Sequence, residues 1–291
     1  MSRSLWRMFF YWIITGSVLA VMLFSHLGRW VPAADAAAVG RPVLVGLAAS
    51  ATLGGHVFFG VGLAWSILPL LSALSIAWAL WRWPRPAKQL GLRLYQKNLL
   101  YSLPSPEPLL EDIRAMDPDV ITLQEVSAHN QPVLDGLAAG WPHRQETAHP
   151  IVGRIVVLSR LPCAEGPHRL SGPGHAALRV RCGAVCVWVM AVHLPWPWPF
   201  EQRNYLGPSL AAVQGLDGAR VVAGDFNIVP WAWPVHAVAQ ALGGRRAGRG
   251  GFTFPIGPIA LPIDHVIAPG GGRIAVRPLA GSDHRGVVAD I

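Results

Sequence analysis

Charge is scarce in this sequence. Asp, Glu, Lys and Arg make up 14% of its 291 residues, against about a quarter in ordinary globular chains. A deficit of that size argues against an evenly hydrated surface and has to be concentrated somewhere. It is: no charged residue occurs from Val43 to Trp81, and Met8 to Leu27 is a second uncharged stretch. Cysteine is scarce too. Cys163, Cys182 and Cys186 are an odd set without the spacing of a thiolate metal site,. Placed on one strand, Cys182 and Cys186 would share a face yet lie too far apart to bridge, so all three read as small buried hydrophobes. Internal repeats and low-complexity tracts are also absent.

The net charge of +8 suggests an anionic partner until it is divided by region. Residues 1–87 carry six arginines against Asp35, a balance of +5, and residues 88–291 carry 18 basic against 15 acidic groups, a balance of +3. Most of the excess therefore flanks the apolar stretches, where it meets lipid headgroups. A nucleic-acid-coating surface is not demanded. Met8–Leu27, at about 1.5 Å per residue, crosses a hydrocarbon layer of roughly 30 Å once. A cleavable signal peptide would have an apolar region of about 7–15 residues and then a small-residue cleavage site. Here Ser25-His26-Leu27-Gly28-Arg29-Trp30 follows instead, so a retained helix is expected.

Val43–Trp81 is nearly twice as long as one crossing requires. It is expected to fold back, with Gly54-Gly55-His56 or Gly60-Val61-Gly62 as the turn, His56 near it, and Pro69 kinking the second arm. Trp6, Trp30, Trp81 and Trp83 suit the membrane interfaces. The expectation is a multi-pass membrane anchor over residues 1–87 with three transmembrane helices, near 8–27, 43–60 and 63–81. Two spans, one of them long or bent, are the alternative. The positive-inside rule would place Arg3 and Arg7 in the cytoplasm together with Arg82, Arg85 and Lys88. An odd number of spans cannot do so, and the side of the C-terminal part stays open.

After Trp83-Pro84-Arg85-Pro86 the texture changes to short β-rich runs separated by Pro, Gly and helical stretches, which defines a second domain over residues 88–291. Strands are expected at Leu92–Tyr101, Asp119–Gln124, Arg154–Ser159, Arg220–Ala223, Ile263–Ile267 and Gly286–Ile291. A hairpin is expected from Ala176–Arg181 and Ala184–His193, and helices at Glu107–Met116 and Pro208–Leu216. Strands do not alternate strictly with helices, so a doubly wound parallel sheet is not expected. Pro195-Trp196-Pro197-Trp198-Pro199 reads as a rigid loop.

Polar residues recur where the apolar runs end, the usual place for function on a rigid scaffold. Glu125 follows Val120–Gln124, His193 follows Val187–Val192, Asp225 and Asn227 follow Val221–Gly224, and Asp264 follows Leu261-Pro262-Ile263. Asp283-His284 precede the last strand, and Asn98 lies inside the first. Each has a plainer role: Asn98 can bridge backbone, Asp225-Phe226-Asn227 can form an Asx-turn, and His193 can be a satisfied core histidine. Their order is the stronger signal. Lys97-Asn98, Leu123-Gln124-Glu125-Val126, Val192-His193-Leu194, Gly224-Asp225-Phe226-Asn227, Ile263-Asp264-His265 and Ser282-Asp283-His284-Arg285 resemble, in sequence, the blocks of the endonuclease/exonuclease/phosphatase superfamily, the deoxyribonuclease-I-like enzymes. The resemblance covers roughly residues 92–291.

That resemblance implies an α/β fold, a four-layer α/β/β/α sandwich with its site at one edge of two packed sheets. It also implies hydrolysis of phosphoesters with Mg²⁺ or Mn²⁺. By motif, Glu125 is a metal ligand helped by Asn98 and Asp283, Asp225 positions or deprotonates the attacking water, and Asn227 orients it or the phosphate. His284 pairs with Asp264, and His193 faces the scissile phosphate. The chemistry needs such a set, because an anionic diester repels nucleophiles until a hard cation neutralises it. Mg²⁺ favours oxygen ligands and keeps several waters. Whether Asp225 or His284 is the base stays open. The sequence departs from the family where Gly286 replaces the usual Pro, where His265 replaces a common aromatic, and where a glutamate supporting His193 has no clear equivalent near Gly153–Ser159.

Three functions follow: a nuclease or other phosphodiesterase, a lipid or headgroup phosphoesterase, and a non-enzymatic membrane module. Arg245, Arg246 and Arg249 are the one dense basic cluster available to grip nucleic acid. Trp196, Trp198, Trp231 and Trp233 are candidates for an apolar rim at a lipid surface. The partners expected are a phosphoester substrate and the bilayer, with no protein partner.

Overall fold

A computed structural model of the chain describes residues 3–81, 90–149 and 153–291. The expected junction at Trp83–Pro86 and the 87/88 boundary, with Arg82, Arg85 and Lys88, lie outside the described residues. Four α-helices come first: α1 (Arg3–Phe24), α2 (Pro32–Val39), α3 (Arg41–Phe59) and α4 (Ile67–Trp81), the last preceded by a 3₁₀ turn at Leu63–Ser66. Leu5–Phe24, Arg41–Phe59 and Leu63–Trp81 are each long and apolar enough to cross a membrane. The helix α3 runs through Gly54-Gly55-His56 and stops at Gly60, whose left-handed conformation (φ 64°) caps it, so the second of the two expected turns is the one used,. Pro69 falls in the first turn of α4, where a missing N–H costs nothing, and is not a mid-helix kink,. The short helix α2 was not anticipated.

The sandwich follows: β1 (Arg93–Asn98), α5 (Glu107–Met116), β2 (Val120–Val126), α6 (Gln131–Leu137), β3 (His143–His149), β4 (Gly153–Ser159), β5 (Arg169–Gly172), β6 (His175–Cys182), β7 (Val185–His193), α7 (Gln202–Gly215), β8 (Ala219–Asp225), α8 (Trp233–Leu242), β9 (Arg245–Arg246), β10 (Phe254–Ile256), β11 (Ile259–Leu261), β12 (Asp264–Ala268), β13 (Arg273–Val276) and β14 (Val287–Asp290). One six-stranded sheet has the order β13-β14-β1-β2-β4-β3, the other β5-β6-β7-β8-β12-β9, and β10-β11 form a separate hairpin.

Alternation along β7 shows why two sheets stack. Val187, Val189 and Ala191 enter the core between the sheets with Leu94, Val120 and Val157, whereas Trp188, Met190 and Val192 face the α7/α8 layer,. On the other side, Leu109, Ile113, Val133 and Leu137 of α5 and α6 close over Tyr95, Ile121 and Val156. The result is the expected four-layer α/β/β/α sandwich. The three cysteines are free and only half-buried, two of them at the edge of the central core, so full burial was an overstatement.

Within each sheet one pair is parallel, β1 with β2 and β7 with β8. Both pairs deliver their C-terminal ends to the same edge of the sandwich. That shared edge carries the site.

The outer face of the α7/α8 layer is not left to solvent. Ala38, Val39, Ile76, Ala79 and Leu80 of the N-terminal helices join the same core as Trp231, Val235 and Val238. Trp231 Nε1 donates to Ala38 O at 2.7 Å, and Arg41 Nη1 donates to Trp231 O at 3.4 Å. Asp35, buried, accepts from Arg203 Nη2 at 2.9 Å and from Trp233 N at 3.3 Å, while the Arg203 guanidinium lies 4.5 Å from the centroid of the Trp233 ring. Arg246 Nη2 donates to the carbonyls of Ala79 and Leu80 at 3.0 and 3.1 Å. The sequence suggested an anchor over residues 1–87 and a second domain over 88–291, and these contacts pack the described helices of the first against the α7/α8 layer of the second.

Candidate active site

Strand registers assemble the cluster. Asn98 pairs with Gln124 at the end of β1, so Asn98 is the last residue of its strand and not an interior one as expected. His193 pairs with Asp225 where β7 and β8 end, and Asp225 pairs with Asp264 where β12 begins. Three chemistry-bearing side chains thus stand side by side on adjacent strands. Gly224 permits the approach, since a Cβ there would collide with the carbonyl oxygen of Val192,.

Glu125 sits on a bulge in β2, where the register against β4 shifts between Leu123 and Val126, and has φ 58°. Such a conformation costs a non-glycine residue about 1 kcal/mol or more and tends to mark function. Asn130 Nδ2 fixes it by donating to Glu125 O at 2.9 Å. The Glu125 carboxylate accepts from Asn98 Nδ2 and from Tyr101 N, both at 3.0 Å. Asn98 Nδ2 also donates to Asp225 Oδ2 at 3.0 Å, which makes this amide the bridge between two carboxylates. His193 Nε2 lies 3.8 Å from Glu125 Oε1 and 3.7 Å from Asp225 Oδ2.

Asn227 does what an Asx-turn residue does. Its N–H donates to Asp225 Oδ1 at 2.8 Å, and its side-chain amide reaches Leu194 O at 2.9 Å and Asp225 Oδ2 at 3.3 Å. The plainer role and the functional one coincide here, because the turn is what aims Asp225.

His284 Nδ1 donates to Asp264 Oδ2 at 2.9 Å, and its Nε2 lies 3.6 Å from Asp225 Oδ2. Burial opposes charge on His284, but Asp264 and Asp225 outweigh it and push the imidazole up to about 10,. Burial pushes Asp225 up to about 7, against the pull of the His284 cation. Burial also acts to raise Asp264, yet the cation and hydrogen bonds from His284, Thr253 and Gln96 hold it below the ordinary carboxylate range. Two buried carboxylates share one imidazolium.

Asp225, Asp264 and His284 offer atoms within 4.8 Å of one another, close enough for a metal centre by distance alone. His284, however, has Nδ1 committed to Asp264, which leaves only Nε2 facing Asp225. The oxygen donors facing Asn98, those of Glu125 and Asp225, suit a hard divalent ion better. Negative charge is in excess on that side, and the donor set fits. Asp283 is exposed, and no described hydrogen bond or ion pair joins it to Glu125 or Asp225.

Several supporting residues escaped sequence reasoning. Lys97, fully buried, donates from Nζ to Leu279 O at 2.7 Å, to Pro278 O at 3.4 Å and to His284 O, clamping the loop that carries His284. Burial pushes its ammonium down to about 8. Gln96 Nε2 crosses between the sheets to Asp264 Oδ1 and, within its own sheet, donates to Gln124 Oε1, both at 2.9 Å. Phe254 rests against the His284 ring at 4.8 Å, with Trp196 behind it at 5.9 Å. The position of Lys97 beside Asn98 in the first motif was the one available signal.

The profile of the Endonuclease/Exonuclease/phosphatase family matches residues 95–284. No curated protein matches by sequence. Solved structures share the fold at low identity. The 3′ phosphatase NExo from Neisseria, bound to a product DNA hairpin, superposes with a TM-score of 0.53 at 15% identity over 69% of this chain and 99% of that one. Beta toxin from Staphylococcus aureus with bound magnesium ions gives 0.52 at 11% identity over 69% and 99%. An AP endonuclease from Archaeoglobus fulgidus gives 0.51 at 14% over 68% and 98%.

Proposed function

The chain belongs to the endonuclease/exonuclease/phosphatase family, and from that premise we propose that it is a membrane-tethered, Mg²⁺- or Mn²⁺-dependent hydrolase of a phosphoester, with a phosphodiester as its substrate. One observation carries the reading: Asn98, Glu125, His193, Asp225, Asp264 and His284, spread over nearly 190 residues of sequence, converge at one edge of the sandwich through contacts of 2.9–3.8 Å.

Glu125 would hold the ion, with Asp283 near the mouth as an outer contributor, and Asn98, whose Nδ2 donates to both Glu125 and Asp225, would brace the two carboxylates. A divalent cation bound there neutralises charge on the scissile phosphate. Asp225, raised toward neutrality by burial, accepts the proton of the attacking water. Asn227 keeps Asp225 aimed. His284 is already a cation at neutral pH and so serves poorly as a base; its Nε2–H stabilises the charge that develops on phosphorus oxygens, and Asp264 fixes its orientation. His193 adds a second donor to the phosphate.

Two of the three functions lose support. The basic cluster expected to grip nucleic acid is partly consumed, because Arg246 caps the end of α4 and, with Arg245, forms β9, which pairs with Ile267 and Ala268 at the far end of β12. A non-enzymatic module would have lost a site group, and all are present. One structure of similar fold is bound to a DNA hairpin, so nucleic acid is kept as the alternative to a lipid headgroup.

The test uses the full chain in detergent micelles, since the sandwich shares its core with the helices. Hydrolysis of bis(4-nitrophenyl) phosphate should appear with Mg²⁺ or Mn²⁺, vanish with chelator and return on adding metal back. Turnover that is indifferent to chelation would overturn the proposal.

A further inference from the structure

The contacts between helices and sandwich fix how the site faces its surroundings. At the catalytic edge, Arg203 and Trp233, the first turns of α7 and α8, grip Gly28, Arg29 and Asp35 just beyond the span Leu5–Phe24. At the opposite edge, Arg246 and Gly250 bind the carbonyl of Leu80 at the end of the span Leu63–Trp81. Asp264 and Ala268 mark the two edges along β12, about 13 Å apart at about 3.3 Å per residue. With both edges pinned to the ends of spans, the α7/α8 layer lies along the membrane and the site opens sideways. Buried charge pairing of this kind does not swing freely.

The loop that leaves β7 after His193 completes the picture. Trp196 turns inward against Phe254 and so toward His284. Gln202 Nε2 braces the loop by donating to Pro195 O at 2.8 Å and Phe226 O at 2.9 Å. Beyond the brace, Trp198 and Phe200 are 59% and 62% exposed. Trp198 borders a cleft of about 230 Å³ shared with Pro32, Asp35 and Arg203, and Trp30, 69% exposed, stands two residues before Pro32. Three large aromatic side chains are therefore offered to solvent on the stretch of surface that meets the end of a span. Of the four tryptophans considered for a lipid rim, Trp231 and Trp233 are spent on α2 and Trp196 on Phe254, which leaves Trp198.

We propose that Trp198 and Phe200, with Trp30, form a lip seated in the bilayer interface, and that the site beside it takes phosphoesters carried on lipids of the same leaflet. The substrate half of this rests on the phosphoesterase reading above; the lip itself does not. The occupant is the bilayer because the surface is continuous with the ends of the spans, and tryptophan prefers that depth. Trp198 lies only five positions after His193 along the chain, so a headgroup projecting beside the lip is within reach of the site,.

The experiment uses the full chain, with Cys163, Cys182 and Cys186 replaced by serine, in nanodiscs of phosphatidylcholine and phosphatidylglycerol. W198C and F200C, each carrying a fluorophore, are exposed to lipids bearing a nitroxide near the headgroup. Quenching comparable to that at W30C, and at least 3-fold stronger than at E111C on the opposite helix layer, is the expected result. Quenching no stronger than at E111C overturns the lip. In parallel, the same discs carry a headgroup-labelled phosphatidylethanolamine, and soluble bis(4-nitrophenyl) phosphate is assayed beside it. Cleavage of both, with the lipid-to-soluble ratio falling at least 10-fold in W198S/F200S, supports the substrate half. Cleavage of the soluble diester alone overturns it, and cleavage of neither strikes the phosphoesterase reading while the quenching result stands.

Discussion

Replacing Asp264 by Asn tests the electrostatic logic of the site at its most buried point. The wild-type carboxylate holds His284 Nδ1–H at 2.9 Å and is the largest influence favouring the cation, with Asp225 second at 3.6 Å. A unit pair at about 4 Å in an effective dielectric near 20 interacts by about 4 kcal/mol, and each pKa unit is worth about 1.4 kcal/mol. Removing Asp264's charge should therefore lower His284 substantially from its position near 10. The asparagine also presents an N–H where an acceptor stood, which favours a neutral imidazole protonated at Nε2. With Mg²⁺ saturating, kcat/KM of D264N at pH 8 should be down about 100- to 1000-fold, the range for losing an orienting carboxylate or a preorganised donor. Its profile should carry a new alkaline limb, falling about tenfold per pH unit once His284 loses its proton, at a lower pH than any corresponding limb of the wild type. A D264N enzyme within 3-fold of wild type with an unaltered alkaline limb would refute the reasoning.

Other consequences are as direct. Lys97→Met leaves the carbonyls of Pro278, Leu279 and His284 without their donor, so kcat should fall at least about tenfold with KM less affected, in steady-state assays. His265, which donates from Nε2 to Ile228 O, is pushed down to about 3 chiefly by burial. The unfolded chain then binds one more proton than the folded one between pH 6.5 and about 3, so stability is lost as pH falls through that window, by about 2 kcal/mol at pH 5. The midpoint of thermal inactivation should drop on acidification, and less so in H265Q; equal slopes would contradict this. Arg203→Ala leaves Asp35 charged, buried and unpaired, which should destabilise the full chain by about 3–5 kcal/mol, with D35N partly restoring it. Chemical unfolding of the single and double variants decides.

The site was largely legible in the sequence because its residues sit where strands end, and strand ends follow from apolar runs stopping at polar residues. The hairpin at Cys182-Gly183, β1, β2, β4, β8, β12 and α5 emerged within a few residues of their observed limits. Elements that lack a contrast between faces were missed. The helix α8 carries only two polar side chains, His236 and Gln240, among residues packed on the sheet and on the N-terminal helices, so its helical stripe is faint,. The strand β3 is an edge strand, His-Arg-Gln-Glu-Thr-Ala-His, whose polarity hides its pairing with β4,. The first turn of α7 was masked by Pro208, which reads as a helix start but lies inside the helix. Composition located the apolar helices but not their docking on α8, since a tryptophan that binds a helix looks the same in sequence as one that meets lipid.

The central claim is that one cluster at the sandwich edge performs the chemistry. Its most direct test compares the full chain with D225A and H284A, each at saturating Mg²⁺ on bis(4-nitrophenyl) phosphate, alongside thermal unfolding to show that the fold persists. Each variant should lose at least about 100-fold in kcat/KM. Wild-type rates in both, with intact folding, would contradict the account.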